Sequence, residues 1–131
     1  MNLNKLPKGI LAISLIEVAI GAITFLAVTA SLLQHLNTKP FNVLIFVYVT
    51  SILSFGLGLG VLTLKREVYE LLLFFAGVVI LTKILIFTNL VSLNGAIETT
   101  LPQNIKNTVS LIYHAFIIYY LRFSPARSLF K

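Results

Sequence analysis

Four runs of this chain, residues 10–33, 41–64, 68–91 and 105–123, are apolar almost from end to end. A helix rising about 1.5 Å per residue needs about 20 such residues to cross the hydrocarbon core of a bilayer. Each run is long enough. Lipid offers no partner to a backbone N–H or C=O, so a spanning segment must satisfy those groups itself, as a helix does. The expected fold is therefore all-α: a polytopic membrane protein with four transmembrane helices in an up-down-up-down bundle. The 131 residues form a single domain. Composition agrees. Only 11% of the residues are charged and 58% are hydrophobic, whereas a soluble domain carries about 25% charged residues. Lys5 and Lys8 before an apolar run resemble the start of a secretory signal, with "AVTA" at 27–30 as its cleavage site. The run outlasts the roughly 7–15 residues of a signal core and reads as a retained first helix.

The gaps between the runs are short and polar. "KREVYE" is so brief that it forces an antiparallel hairpin, and the longest gap holds Asn94-Gly95 and Pro102, both turn signals. Lys and Arg set the orientation. Lys5, Lys8, Lys65, Arg66, Arg122, Arg127 and Lys131 fall on one side, Lys39 and Lys106 on the other, and Lys83 inside the third run. Basic residues favour the cytoplasmic side, so both termini are expected in the cytoplasm. The net charge of +6 is scattered, without a basic stripe on a soluble face. It therefore reads as a topology and headgroup signal, not as a nucleic-acid site.

Several chemistries find no support. The chain has no cysteine. Its two histidines, His35 and His114, lie in different regions, so no metal site is expected. The glycines of "SFGLGLGVL" sit inside an apolar helix, not between a strand and a helix N-terminus, which excludes a phosphate-binding turn. No G-x-S-x-G occurs. No catalytic residue and no cofactor is expected, and the soluble parts are too short to build a water-facing active site.

Residues three and four apart share a helix face. In the first helix Ser14, Glu17, Gly21, Thr24 and Ser31, with Val28, form a small polar stripe. In the fourth, Asn107, Ser110, His114, Ile117 and Leu121 form another. Small and hydroxylated residues mark helix contacts in membranes. Gly56 and Gly60 make a GxxxG pair in the second helix. Gly21, Gly56 and Gly60 are thus the expected packing glycines.

An ionisable residue in the membrane costs free energy and marks a candidate site. Glu17 and His114 each lie eight residues, about 12 Å, from the same membrane boundary, whereas Lys83 lies about 12 Å from the opposite one. The matching depth suggests an interhelical hydrogen bond between Glu17 and His114. Tyr113, or a hydroxyl on the second helix, is the alternative partner for Glu17. Lys83 is expected to reach outward, toward Glu98. The polar site is then Glu17, His114, Tyr113 and Lys83. Its carboxylate is either structural glue in a helix interface or a proton- or ligand-binding group.

Two resemblances follow from short motifs. "LPKGI" at 6–10, "GLGLGVLTLKREVYELLLFFAGVVIL" at 56–81 and "YYLRFSPARSLF" at 119–130 resemble a widespread set of uncharacterised small four-helix integral membrane proteins of bacteria and archaea. That resemblance implies a four-helix fold and no particular activity. "IEVAIG" at 16–21 is similar to the first-helix Glu motif of small multidrug-resistance transporters, which implies that Glu17 exchanges protons for cations in an antiparallel dimer. The chain departs from that pattern in its strong basic bias, its lack of tryptophan and the presence of Lys83. The expected function is a non-enzymatic membrane protein, an accessory or assembly subunit packing against other membrane subunits or a second copy of itself in the lipid bilayer. The alternative is a small proton-coupled transporter or channel using Glu17.

Overall fold

The computed structural model describes residues 6–34, 40–91 and 102–131. They form four helices, α1 (Lys8–Leu33), α2 (Phe41–Val61), α3 (Arg66–Phe87) and α4 (Gln103–Phe123), followed by a short 3-10 helix at Pro125–Leu129. No strand occurs among the described residues. α1, α2 and α3 are each long and apolar enough to cross a membrane. α4 is less apolar, because Asn104, Lys106, Asn107, Thr108, Ser110 and His114 fall between its start and its middle turn.

The helix boundaries have local causes. Pro7, Pro40 and Pro102 are the N-cap residues of α1, α2 and α4. Each lacks an N–H that the cap would leave unpaired, and each fixes φ near the value a helix start tolerates. α2 and α3 end sooner than their apolar runs. The second run was expected to reach residue 64, but Leu64 adopts φ 55°. An L-residue pays about 1–2 kcal/mol there and cannot continue a right-handed helix. α3 starts two residues earlier than the expected 68 and stops at Phe87, not at 91. Asn89, at φ 57°, is left-handed too. Leu90 N–H then bonds to Leu85 O at 3.0 Å and Asn89 N–H to Ile86 O at 3.1 Å, the Schellman pattern that closes a helix on its last carbonyls.

The exposure pattern is inverted relative to a water-soluble protein. Glu17 is fully buried (0%) while Leu15 is 60% and Phe74 71% exposed. Apolar side chains gain nothing by leaving lipid for one another, so packing must come from close fit and interhelical hydrogen bonds. α1 and α2 make the closest pair, antiparallel along their whole length. Ser14 Oγ donates to Gly58 O at 2.7 Å near one end, and Thr29 Oγ1 meets Tyr48 Oη at 3.0 Å near the other. α3 and α4 form the second antiparallel pair. The apolar core gathers at the end of the bundle that holds the α2–α3 turn, around Ile10, Ile13, Val61, Leu72, Ile117 and Leu121. A smaller cluster of Val28, Val43 and Val47 holds the far end of α1 and α2. Between these two apolar zones lies the polar interior.

The glycine contacts show which glycines pack against a helix of this same chain; the GxxxG pair leaves open a partner helix in another chain. Gly56 is exposed, and a Cβ built on it would meet nothing within 4 Å. A Cβ on Gly60 would only touch the Val68 side chain at 3.0 Å. The glycine that admits a neighbouring backbone is Gly58, whose added Cβ would sit 2.7 Å from Val18 N and 2.9 Å from Glu17 Cβ. Gly21 does the same from the other side, with Phe55 N at 2.5 Å and Ser51 O at 2.6 Å. The reason is helical phase. Val47, Ser51, Ser54, Gly58 and Val61, at spacings of four, three, four and three, form the buried face of α2, and Gly56 falls outside it.

Candidate intramembrane polar site

The close approach of α1 and α2 at Gly58 and Gly21 fixes where Glu17 sits. Its carboxyl has no contact with solvent and is held by Ser54 of α2, which makes a very short contact with Glu17 Oε2 and also lies 3.1 Å from the Glu17 carbonyl oxygen. A hydroxyl of the second helix is thus the bonded partner. The direct Glu17–His114 hydrogen bond expected from depth alone is not made. His114 Nε2 stops 4.0 Å from Glu17 Oε1, beyond hydrogen-bond reach, and Oε1 has no partner.

His114 is oriented by its own helix. Its Nδ1 lies 2.7 Å from the Ser110 carbonyl oxygen. A carbonyl can only accept, so Nδ1 carries the proton, and in the neutral ring Nε2 is a bare acceptor. It faces the unpartnered Oε1. Two acceptors confronting one another in a dry interior repel unless a proton lies between them. One proton, on the carboxyl or on Nε2, removes that repulsion and leaves the pair net neutral. In low dielectric an unbalanced charge is far costlier than a neutral pair. The arrangement is therefore a buried acid–base pair whose facing atoms, Glu17 Oε1 and His114 Nε2, stand 4.0 Å apart.

Tyr113 belongs to the same cluster. Its ring meets His114 edge-on, with centroids 5.2 Å apart and planes at 79°. Its buried hydroxyl faces the Glu17 carboxyl, the alternative partner expected for it, without forming a well-aligned hydrogen bond. Phe75 of α3 covers the imidazole from another side at 6.2 Å.

The Glu98 toward which Lys83 was expected to reach lies outside the described residues. Lys83 Nζ donates to Asn107 Oδ1 at 3.0 Å, joining α3 to α4, and the Asn107 amide nitrogen stays unpaired. Lys83 and His114 share the wall of an interhelical cavity of about 170 Å³ that all four helices line. Ser54, the partner of Glu17, lines it as well, with Thr24, Thr50, Ser51, Thr82 and Ser110. Thr50, Ser51 and Thr82 donate their hydroxyl protons to carbonyls of their own helices, at 2.8, 2.9 and 2.8 Å. Their remaining lone pairs are acceptors. The cavity is walled mainly by apolar surface, from Ile20, Phe46, Phe75 and Val79 among others, with these hydroxyl acceptors and the Lys83 amine as its polar points.

Sequence patterning brought Glu17 and His114 onto inward faces. Ser54, Asn107 and the ring of hydroxyls were not singled out as site residues. The buried-face spacing through Ser51, Ser54 and Gly58 was the signal for Ser54. Among the described residues, no group of three His, Asp or Glu side chains could hold a metal ion. No family model matches this chain, and no curated protein or solved structure matches it either.

Proposed function

We propose that this chain is a four-span integral membrane protein that binds and passes a proton at Glu17 and His114, as a small proton-coupled transporter or channel of a prokaryotic cytoplasmic membrane, with both termini cytoplasmic. The observation that carries the reading is the 4.0 Å gap between Glu17 Oε1 and His114 Nε2, with Oε1 unpaired. A pair kept only as glue would close that gap, since a buried acceptor without a donor costs roughly 1–3 kcal/mol. Buried unsatisfied groups in folded proteins commonly mark function or an ordered water. The adjoining cavity supports the same reading, because its hydroxyls and the Lys83 amine give a water molecule several polar partners beside His114. The membrane crossing by α4 is supported by its surface. Its polar Asn107 and His114 are buried, at 4% and 6% exposure, while Val109, Ile112 and Phe116 are 61%, 62% and 52% exposed. Polarity facing inward and apolar groups outward is what lipid requires.

The test is flux in sealed vesicles containing an internal pH dye, with a potassium gradient to drive proton entry. Wild type should acidify the lumen faster than empty vesicles, and Glu17→Gln, which keeps the shape but cannot release a proton, should fall to the empty-vesicle rate. Folded wild type that is no faster than empty vesicles would sink the reading.

A second reading, an accessory or assembly subunit, draws on the dry seam itself. Glu17 is sealed between Ser54 and the close backbones at Gly58, as a structural polar contact would be. It requires that Glu17→Gln disturb association with partner subunits while no flux is present in wild type.

A further inference from the structure

The last residues of the chain do not trail away from α4. Ser124 caps the short 3-10 helix by accepting from Ala126 N–H at 3.1 Å. Phe130 is buried against the Tyr69 ring, with centroids 5.1 Å apart. Lys131 N–H donates to Leu64 O at 3.1 Å, and Arg66 N–H donates to Lys131 O at 2.9 Å. The tail is thereby tied to the α2–α3 turn, and the left-handed Leu64 supplies one of the carbonyls that hold it. This bond brings two basic stretches far apart in sequence, Lys65-Arg66 and Arg122 to Lys131, to one end of the bundle. Between them is a pocket of about 190 Å³ lined by Arg66, Tyr69, Glu70, Arg127 and Phe130.

The two arginines in that pocket differ. Arg66 Nε is bonded to Glu70 at 2.9 Å in an exposed pair, which is worth little and leaves its terminal nitrogens free. Arg127 is exposed, and among the described residues no hydrogen bond or ion pair holds its guanidinium. A guanidinium is a planar fork matched to phosphate oxygens. The pocket lies where apolar helices end, so a ligand in it sits at headgroup depth. Phe123 and Leu129, 74% and 37% exposed, flank the basic residues in sequence with apolar surface suited to the upper acyl region.

We propose that this tail-and-turn pocket binds the phosphate of an anionic phospholipid, with Arg127 as the main contact and Arg66 as the second. Phosphate is the recognised chemistry, and the apolar flanks select the lipid over a soluble phosphate.

The full-length protein is reconstituted into vesicles of equal phosphatidylglycerol and phosphatidylcholine, and retained lipid is read by native mass spectrometry. Wild type should retain phosphatidylglycerol preferentially. Arg127→Gln should cut that preference about fivefold, the loss expected for one basic residue at a membrane surface. Arg122→Gln, a basic residue of the same end outside the pocket, should change it by less than half as much on the same scale. Circular dichroism confirms that each variant is folded, and Arg127→Lys provides a charge-keeping variant expected to lose part of the preference. Equal losses in Arg127→Gln and Arg122→Gln would overturn the pocket in favour of diffuse attraction. No preference in wild type would overturn lipid binding. Displacement of the lipid by millimolar inorganic phosphate would overturn the choice of lipid over soluble phosphate.

Discussion

Replacing Gly58 by alanine adds one methyl group where α1 passes. That methyl carbon would sit 2.7 Å from Val18 N and 2.9 Å from both Glu17 Cβ and Val18 Cγ2. Comfortable non-bonded contact begins near about 3.5 Å. The helices must therefore separate by about 0.8 Å at this point, since a backbone nitrogen cannot rotate away. Overpacking of this kind costs about 1–3 kcal/mol. The same separation stretches the Ser14–Gly58 bond and loosens the contact of Ser54 with Glu17, so the upper part of that range is expected. Gly56→Ala is the matched control. Its methyl group meets nothing within 4 Å, and alanine in place of a helical glycine gains about 0.5–1 kcal/mol. Both variants share that helix gain, so they should differ by the overpacking alone, about 2–3 kcal/mol in reversible unfolding from mixed micelles, followed by circular dichroism. Destabilisation by Gly56→Ala as large as that by Gly58→Ala would refute the reasoning and restore GxxxG as the packing motif.

Two smaller changes probe the same interior. Ser14→Ala removes the buried 2.7 Å bond to the Gly58 carbonyl and should cost about 0.6 kcal/mol, at most about 1.7, in the same unfolding assay, in line with interhelical hydrogen bonds measured in membranes. Tyr113→Phe removes a buried hydroxyl that faces the Glu17 carboxyl without a well-aligned hydrogen bond, so unfolding should shift by less than about 1 kcal/mol. A fall in proton flux without that loss of stability would place the hydroxyl on the proton's path.

The face of each functional side chain was legible because helical periodicity is a property of the sequence. Spacing alone put Glu17 with Ser14 and Gly21, and His114 with Asn107 and Ile117, and all six are buried in the bundle. Depth arithmetic brought Glu17 and His114 to the same level. Which atoms bond was not legible. Side-chain reach from two separate helices depends on how closely they approach and on small rotations, and Ser54 is nearer than His114 because Gly58 lets α2 close on α1. Lys83 went to Asn107 for a similar reason, since a polar side chain on the adjoining helix satisfies the ammonium within reach.

By itself, the sequence determined the solvent. Too few charged residues and several long apolar runs leave lipid as the medium and helices as the element that satisfies its own backbone there. It also determined the start of three helices, through Pro7, Pro40 and Pro102. Tertiary structure alone decided that Gly58, and not Gly56, is the contact with α1 of the same chain, because two glycines two residues apart lie on different faces and only the partner helix selects one. It alone left the Glu17 carboxyl one partner short. It alone joined the C-terminal residues to the α2–α3 turn, through backbone bonds that carry no side-chain signature for a sequence to show.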